Sequence, residues 1–383
     1  MNRERLRALL EPRSLVVVNA NDIPPTNADG TMTPVANSDL FYLTGVEQEQ
    51  TILLLAPDAL DEKAREILFV RETSELLAQW EGHKLTKEEA RAASGIARVE
   101  WLDQFPRLFP QLMSEMENVW LNSNDHARAV IEVESRDARF VRETQRQWPL
   151  HQYRRLARLM RTIRLVKSEH ELALLRRACA ITAGSFDRVA RMLRPGVNEC
   201  EVEAEFAHEY IRQRARFSYQ PIIASGKNAC VLHYVANDQP CKNGELLLLD
   251  VGASYRNYNA DVTRTLPVNG KFSRRQKQVY EAVLRVLRQC TDALTPAERL
   301  QAKQGRGVVH VVEHEGRGLI DRGRPCAGGW IGAGAGMDRQ GSEAVISCFR
   351  HGAVSLERGV VQAARLTTTS NAGFWLMVWN TTQ

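Results

Sequence analysis

The chain has 383 residues, 44% of them hydrophobic and 25% charged, with a formal net charge of +5. That length and composition argue for a globular chain rather than a disordered one and suffice for two domains with sizeable cores. Acidic and basic residues are mixed throughout with no long Lys/Arg block, so nucleic acid is not an expected partner.

The opening stretch MNRERLRALLEPRS is charged and runs into SLVVVNA without the apolar core of a secretory signal. No later run approaches the roughly 18 apolar residues of a membrane span, so no membrane partner is expected. Seven cysteines, the first at Cys179 and none in a CxxC pair, read as reduced thiols, which makes the cytoplasm the expected location.

Up to about residue 150 the chain alternates strand-like runs (SLVVVNA, TILLLAPD, EILFVRE, VWLNSN) with helix-like ones such as TKEEARAAS, the pattern of an α/β domain. Residues 148–166, WPLHQYRRLARLMRTIRLV, place apolar residues at three- and four-residue spacing and predict a connecting helix with a solvated basic face. A long amphipathic stretch follows from Lys167, opened by Ser168 and Glu171 as a capping box and stopped by Arg194-Pro195-Gly196. Asn198 is positioned to cap a second helix, NECEVEAEFAHEYIRQRA, after which YQPIIAS reads as a strand.

Two adjacent strand-like runs come next, GELLLLDVGASY and NYNADVTRTLPVNGKF, and each carries an aspartate, Asp250 and Asp261. Aspartate is depleted from strands, so a pair in one hairpin needs a reason. Reflecting the segment about Tyr255/Arg256 sets the two aspartates opposite each other, with both carboxylates on one face. Like charges there repel unless a cation is shared, and carboxylate oxygens suit Mn, Mg, Co or Zn. The alternative is a pair of ordinary hairpin residues matched with Arg256 or Arg264.

Ser273 then opens the helix SRRQKQVYEAVLRVLRQCTDAL. Beyond about residue 300 the character changes: 14 of the 24 glycines fall between Gly305 and Gly373, no lysine follows Lys303, and neither helical nor strand periodicity holds.

The stretches RLVKSEHELALLRRACAITAGSF, LRPGVNECEVEAEFAHEYIRQRARFSYQPIIASGKNACVLHY and LLLLDVGASYRNYNADVTRTLPVNGKFSRRQKQVYEAVL resemble the aminopeptidase P family of Xaa-Pro peptidases. NSDLFYLTGVEQEQTILLL and AQWEGHKLT in the first part fit the same family. The resemblance implies an α/β architecture: a creatinase-like N-terminal domain over 1–155, then a pita-bread metallopeptidase domain whose first part covers 156–300. It further implies removal of an N-terminal residue from peptides with proline second, using two metal ions, usually Mn2+. On that reading Asp250 and Asp261 match metal ligands, and His233 in NACVLHYVAND matches a substrate-facing histidine, although a histidine by itself is more often structural. Dimers or tetramers are common in the family, which leaves a homo-oligomer open.

The pattern breaks in 301–383, a divergent segment that is expected to leave the fold incomplete at its C-terminal end. The family's HG-x-x-H run, TxEPG strand and final glutamate are absent; Phe349-Arg350-His351-Gly352 starts like the first, but Ser355 stands where its second histidine belongs. His310-Val311-Val312-Glu313-His314 has the H-x-x-E-H order of a zinc-peptidase motif and would put both histidines on one helical face, yet a solvated outer helix accounts for it better. A reading-frame change near 295–350 explains the compositional shift; a degenerate peptide-binding homologue and a divergent site are the alternatives. Low peptidase activity is therefore expected, and a prolidase-type dipeptidase is the runner-up among enzymes.

Overall fold

A computed structural model describes residues 2–123, 132–292, 310–314 and 317–321, which divide at Val166/Lys167 into two units. The first unit is built on a six-stranded sheet of β1 (Ser14–Asn19), β2 (Ile52–Leu55), β3 (Glu66–Val70), β4 (Arg98–Trp101), β5 (Asn118–Leu121) and β6 (Gln152–Arg155). Its order is β4-β3-β2-β1-β5-β6; β1 pairs antiparallel with β2 and parallel with β5. Every residue of β1 is buried, as expected of an unbroken apolar run with both faces covered. The period of two divides the sheet cleanly between two cores. Val16, Val18, Leu53 and Leu55 enter one, while Leu15, Val17, Ile52 and Leu54 enter the other.

Residues 148–166 are not one helix. Gln152–Arg155 pair in parallel with Asn118–Leu121 as the edge strand β6, and the helix begins only at Leu156. Pro149 disfavours a helical continuation from the preceding segment, and the open edge of β5 offers unpaired backbone groups that a strand satisfies. The helix Leu156–Leu165 then buries Leu156, Met160 and Ile163 in the first of the two cores.

In the second unit the capping boxes form as their sequences require. Ser168 caps the helix Glu169–Met192, with the Glu171 amide 3.3 Å from Ser168 Oγ and the Ser168 amide 2.9 Å from Glu171 Oε2. Asn198 caps Glu199–Arg212 in the same way, with Glu201 as its partner. Two three-stranded sheets follow. One has the order β12-β9-β8, from β8 (Ile222–Ser225), β9 (Leu246–Val251) and β12 (Val262–Pro267); the other has β11-β10-β7, from β7 (Arg216–Phe217), β10 (Ala253–Tyr255) and β11 (Tyr258–Asn259). Thr182 Oγ1 accepts from the Ala253 amide at 3.0 Å, tying the long helix to β10.

The hairpin turns on Arg256 and Asn257, at φ 50° and 61°, with Tyr255 opposite Tyr258. Positive φ at both central residues is the signature of a type I′ turn, whose twist matches the flanking strands. Its centre lies one residue beyond the Tyr255/Arg256 midpoint, so Asp250 faces Thr263 rather than Asp261. The pairing therefore shifts by two residues, and because side chains alternate with period two, both aspartates stay on one face. Gly252 separates β9 from β10 where the chain changes sheets. A Cβ there would lie 1.8 Å from the Ala260 carbonyl oxygen, so only glycine fits.

The segment His310–His314 is a strand, β13, paired antiparallel with β14 (Arg317–Asp321), and not a helix. Its β-branched Val311-Val312 core favours the extended form. At about 3.3 Å per residue, positions four apart on a strand are separated by roughly 13 Å rather than the roughly 6 Å along a helix, so the helical spacing on which the motif depends is absent. His351 and the remainder of 322–383 lie outside the described residues.

Candidate metal centre

On β9, Leu247, Leu249 and Val251 are buried, while Leu246, Leu248 and Asp250 occupy the other, half-buried face. Register carries that face across the sheet through Ile222 on β8 and Thr263 on β12. Arg264 sits opposite Leu249 and so belongs to the reverse face, which removes it as the partner of Asp250. Asp261 lies at the start of β12, next to its first residue, Val262.

The two carboxylates converge on one hydroxyl. Tyr219, between β7 and β8, has its phenol oxygen 2.6 Å from Asp250 Oδ1 and 3.1 Å from Asp261 Oδ1. A phenol has a single proton to donate, so only one carboxylate receives it at a time. Burial pushes the Asp261 carboxyl up to about 7; the neighbouring Asp250 charge adds to the rise and the Tyr219 hydroxyl opposes it. Asp250 is also raised by burial, against the hydrogen bonds from Tyr219 and Thr263 and the positive potential of His233. The Tyr219 phenol is itself pushed up, by burial first and then by the two carboxylates.

These shifts describe two acids crowded in a poorly solvated place, where the offsets from Tyr219, Thr263 and His233 do not outweigh burial. A divalent cation would reverse them by favouring both ionised forms, and two hard oxygen donors on one face are a suitable fit for it. Among the described residues, no group of three or more His, Cys, Asp or Glu side chains comes together as a ligand set. The pair thus fits as the carboxylate part of a larger coordination sphere.

His233 sits on an exposed loop after the short 3-10 turn Gly226–Cys230, flanked by Val231, Leu232 and Val235, which are 54%, 77% and 45% exposed. A positive charge on its imidazole lowers the Asp250 carboxyl, which puts the ring within electrostatic range of that carboxylate. The three sequence-predicted residues are therefore brought to one region. Tyr219 was not among them: a lone tyrosine between two strands has no periodic signal, and only the pairing of β7 with β10 and β8 with β9 brings its hydroxyl to the aspartates.

A family model described as metallopeptidase family M24 matches residues 173–369, and one described as the aminopeptidase P N-terminal domain matches 1–120. An Xaa-Pro aminopeptidase of Haemophilus influenzae is 31% identical over 322 residues, covering 84% of this chain and 71% of its own length. An Xaa-Pro aminopeptidase of Escherichia coli is 33% identical over 291 residues, covering 74% of this chain and 65% of its own. Among solved structures, Pseudomonas aeruginosa aminopeptidase PepP superposes with a TM-score of 0.67 at 28% identity, over 81% of this chain and 67% of that one. Zinc-substituted E. coli aminopeptidase P in complex with product gives 0.64 at 28% identity, over 81% and 69%. With matches to the aminopeptidase P N-terminal domain and to the M24 domain, and relatives named Xaa-Pro aminopeptidase at 31% and 33% identity, the chain belongs to the aminopeptidase P family of metal-dependent aminopeptidases.

Proposed function

We propose that this chain releases the N-terminal residue from peptides with proline at the second position, using Mn2+ held by Asp250 and Asp261. The observation that carries the reading is the convergence of the two half-buried carboxylates on the Tyr219 hydroxyl, within electrostatic range of His233. When bound, the metal supplies Lewis acidity for hydrolysis of the peptide bond. Asp250 and Asp261 hold it, Tyr219 orients their oxygens, and the His233 imidazole donates a hydrogen bond to the oxygen on which charge develops. Val231, Leu232 and Val235 expose apolar surface on the same loop as His233.

The test is incubation of the purified 383-residue chain with Mn2+ and the tripeptide Ala-Pro-Ala. Slow, Mn2+-dependent release of alanine is the expected result, slow because the HG-x-x-H and TxEPG patterns are absent from the sequence. Cleavage of the dipeptide Ala-Pro alone would favour a prolidase, and binding of Ala-Pro-Ala without release would favour a peptide-binding homologue. The described cysteines Cys179, Cys200, Cys230 and Cys241 are free, which suits a cytoplasmic setting, and a homo-oligomer is the assembly this reading expects.

A further inference from the structure

Glu199 is the first residue of the helix Glu199–Arg212, and it is fully buried. Five donors meet its carboxylate. Oε1 accepts from the Ser225 amide at 2.7 Å, the Ser225 hydroxyl at 2.7 Å and Asn228 Nδ2 at 3.2 Å. Oε2 accepts from the Tyr234 hydroxyl at 2.7 Å and the Gln239 amide at 3.0 Å. Burial alone would raise this carboxyl, but the donors outweigh it and hold the group below its ordinary value, so it is an ionised, acceptor-only hub.

The donors are not scattered. One oxygen takes the entry to the loop between β8 and Gln239, and the other takes its middle and its exit. The only other buried polar anchor in that loop is Asn237, 2% exposed, which accepts from the Ile223 amide at 3.0 Å and donates to the Pro221 carbonyl at 3.0 Å. Between these fixed points the loop is exposed, and His233 is the residue immediately before Tyr234.

We infer that Glu199 is a positioning residue for His233: through Tyr234 and the two ends of the loop it holds the stretch that carries the histidine in place near the aspartate pair. A single carboxylate closing both ends of a 14-residue span, 226–239, removes much of the freedom an exposed histidine would otherwise have. The inference rests on the reading of His233 as the substrate-facing group, and the two are separable by experiment.

The full chain, labelled with 13C-histidine, is followed through the His233 ring Cε1–Hε1 cross-peak, which His233→Asn identifies by its loss. Tyr234→Phe deletes one of the five bonds and leaves the hub intact; it is expected to shift or broaden the His233 peak while the melting transition stays in place. Glu199→Gln should move the peak further. Tyr258→Phe, which removes the 3.3 Å bond from Tyr258 to Glu171, is the structural control and should leave the His233 peak where it is. An unmoved peak in Tyr234→Phe and Glu199→Gln overturns the positioning role; should Glu199→Gln fail to fold, Tyr234→Phe alone decides it. Ala-Pro-Ala with Mn2+ is then added to the unsubstituted chain. A peak that responds to the variants but not to the peptide upholds the positioning of His233 and sinks its substrate role instead.

Discussion

Tyr219 holds two acids that would otherwise repel, and its own hydroxyl is the only described donor shown to reach both. Tyr219→Phe removes that donor while keeping the ring. An outer partner of a metal-binding carboxylate typically contributes about 10- to 100-fold in affinity, so the variant should bind Mn2+ about that much more weakly, measured by titration calorimetry. A second residue-scale effect lies in the first unit. Asp137 is pushed up to about 6 by burial, despite a 3.0 Å hydrogen bond from Asn19 Nδ2. An acid whose folded pKa exceeds its unfolded value binds more protons when folded, so stability falls as pH rises from about 4 to about 6, by at most about 3 kcal/mol. Urea unfolding across that range should show the slope in the native chain and a flatter profile in Asp137→Asn. Neither Tyr219 nor Asp137 was legible in the sequence, because both owe their surroundings to partners distant along the chain. Asp250, Asp261 and His233 could be singled out in the sequence because a hairpin pattern and a family resemblance pointed to them.

At the scale of elements, local chemistry was read well wherever it acts within a few residues. Ser168 with Glu171 and Asn198 with Glu201 form capping boxes, and Ser273 Oγ accepts from the Gln276 amide at 3.2 Å at the start of the last described helix. What failed were features decided by pairing. Gln152–Arg155 is a strand because β5 has an open edge, and the Asp hairpin is displaced because arginine at the first position of a type I′ turn gives little warning of its positive φ. Face parity survived the displacement, so both carboxylates still share one face. Gly252 makes the hairpin's change of sheet possible, since the Ser218 hydroxyl and the Ala260 carbonyl leave no space for a side chain. Gly252→Ala should therefore destabilise the second unit by about 3 kcal/mol or more, seen as a lower denaturant midpoint, whereas Gly244→Ala meets no neighbouring atom and is opposed only by its positive φ of 82°.

For the whole molecule, the family models place an aminopeptidase P N-terminal domain in 1–120 and an M24 domain in 173–369, while the chain spans 71% and 65% of the two bacterial relatives named above. The described residues bring together two carboxylates and a hydroxyl shared between them, with His233 within electrostatic range. Everything proposed for the chain depends on that aspartate pair being a cation site rather than a half-buried acid pair held by Tyr219. Titration of the full chain with MnCl2 at neutral pH tests this directly. The account predicts saturable binding that Asp250→Asn and Asp261→Asn each abolish. Absence of Mn2+ binding, or binding that persists unchanged in both variants, would contradict it.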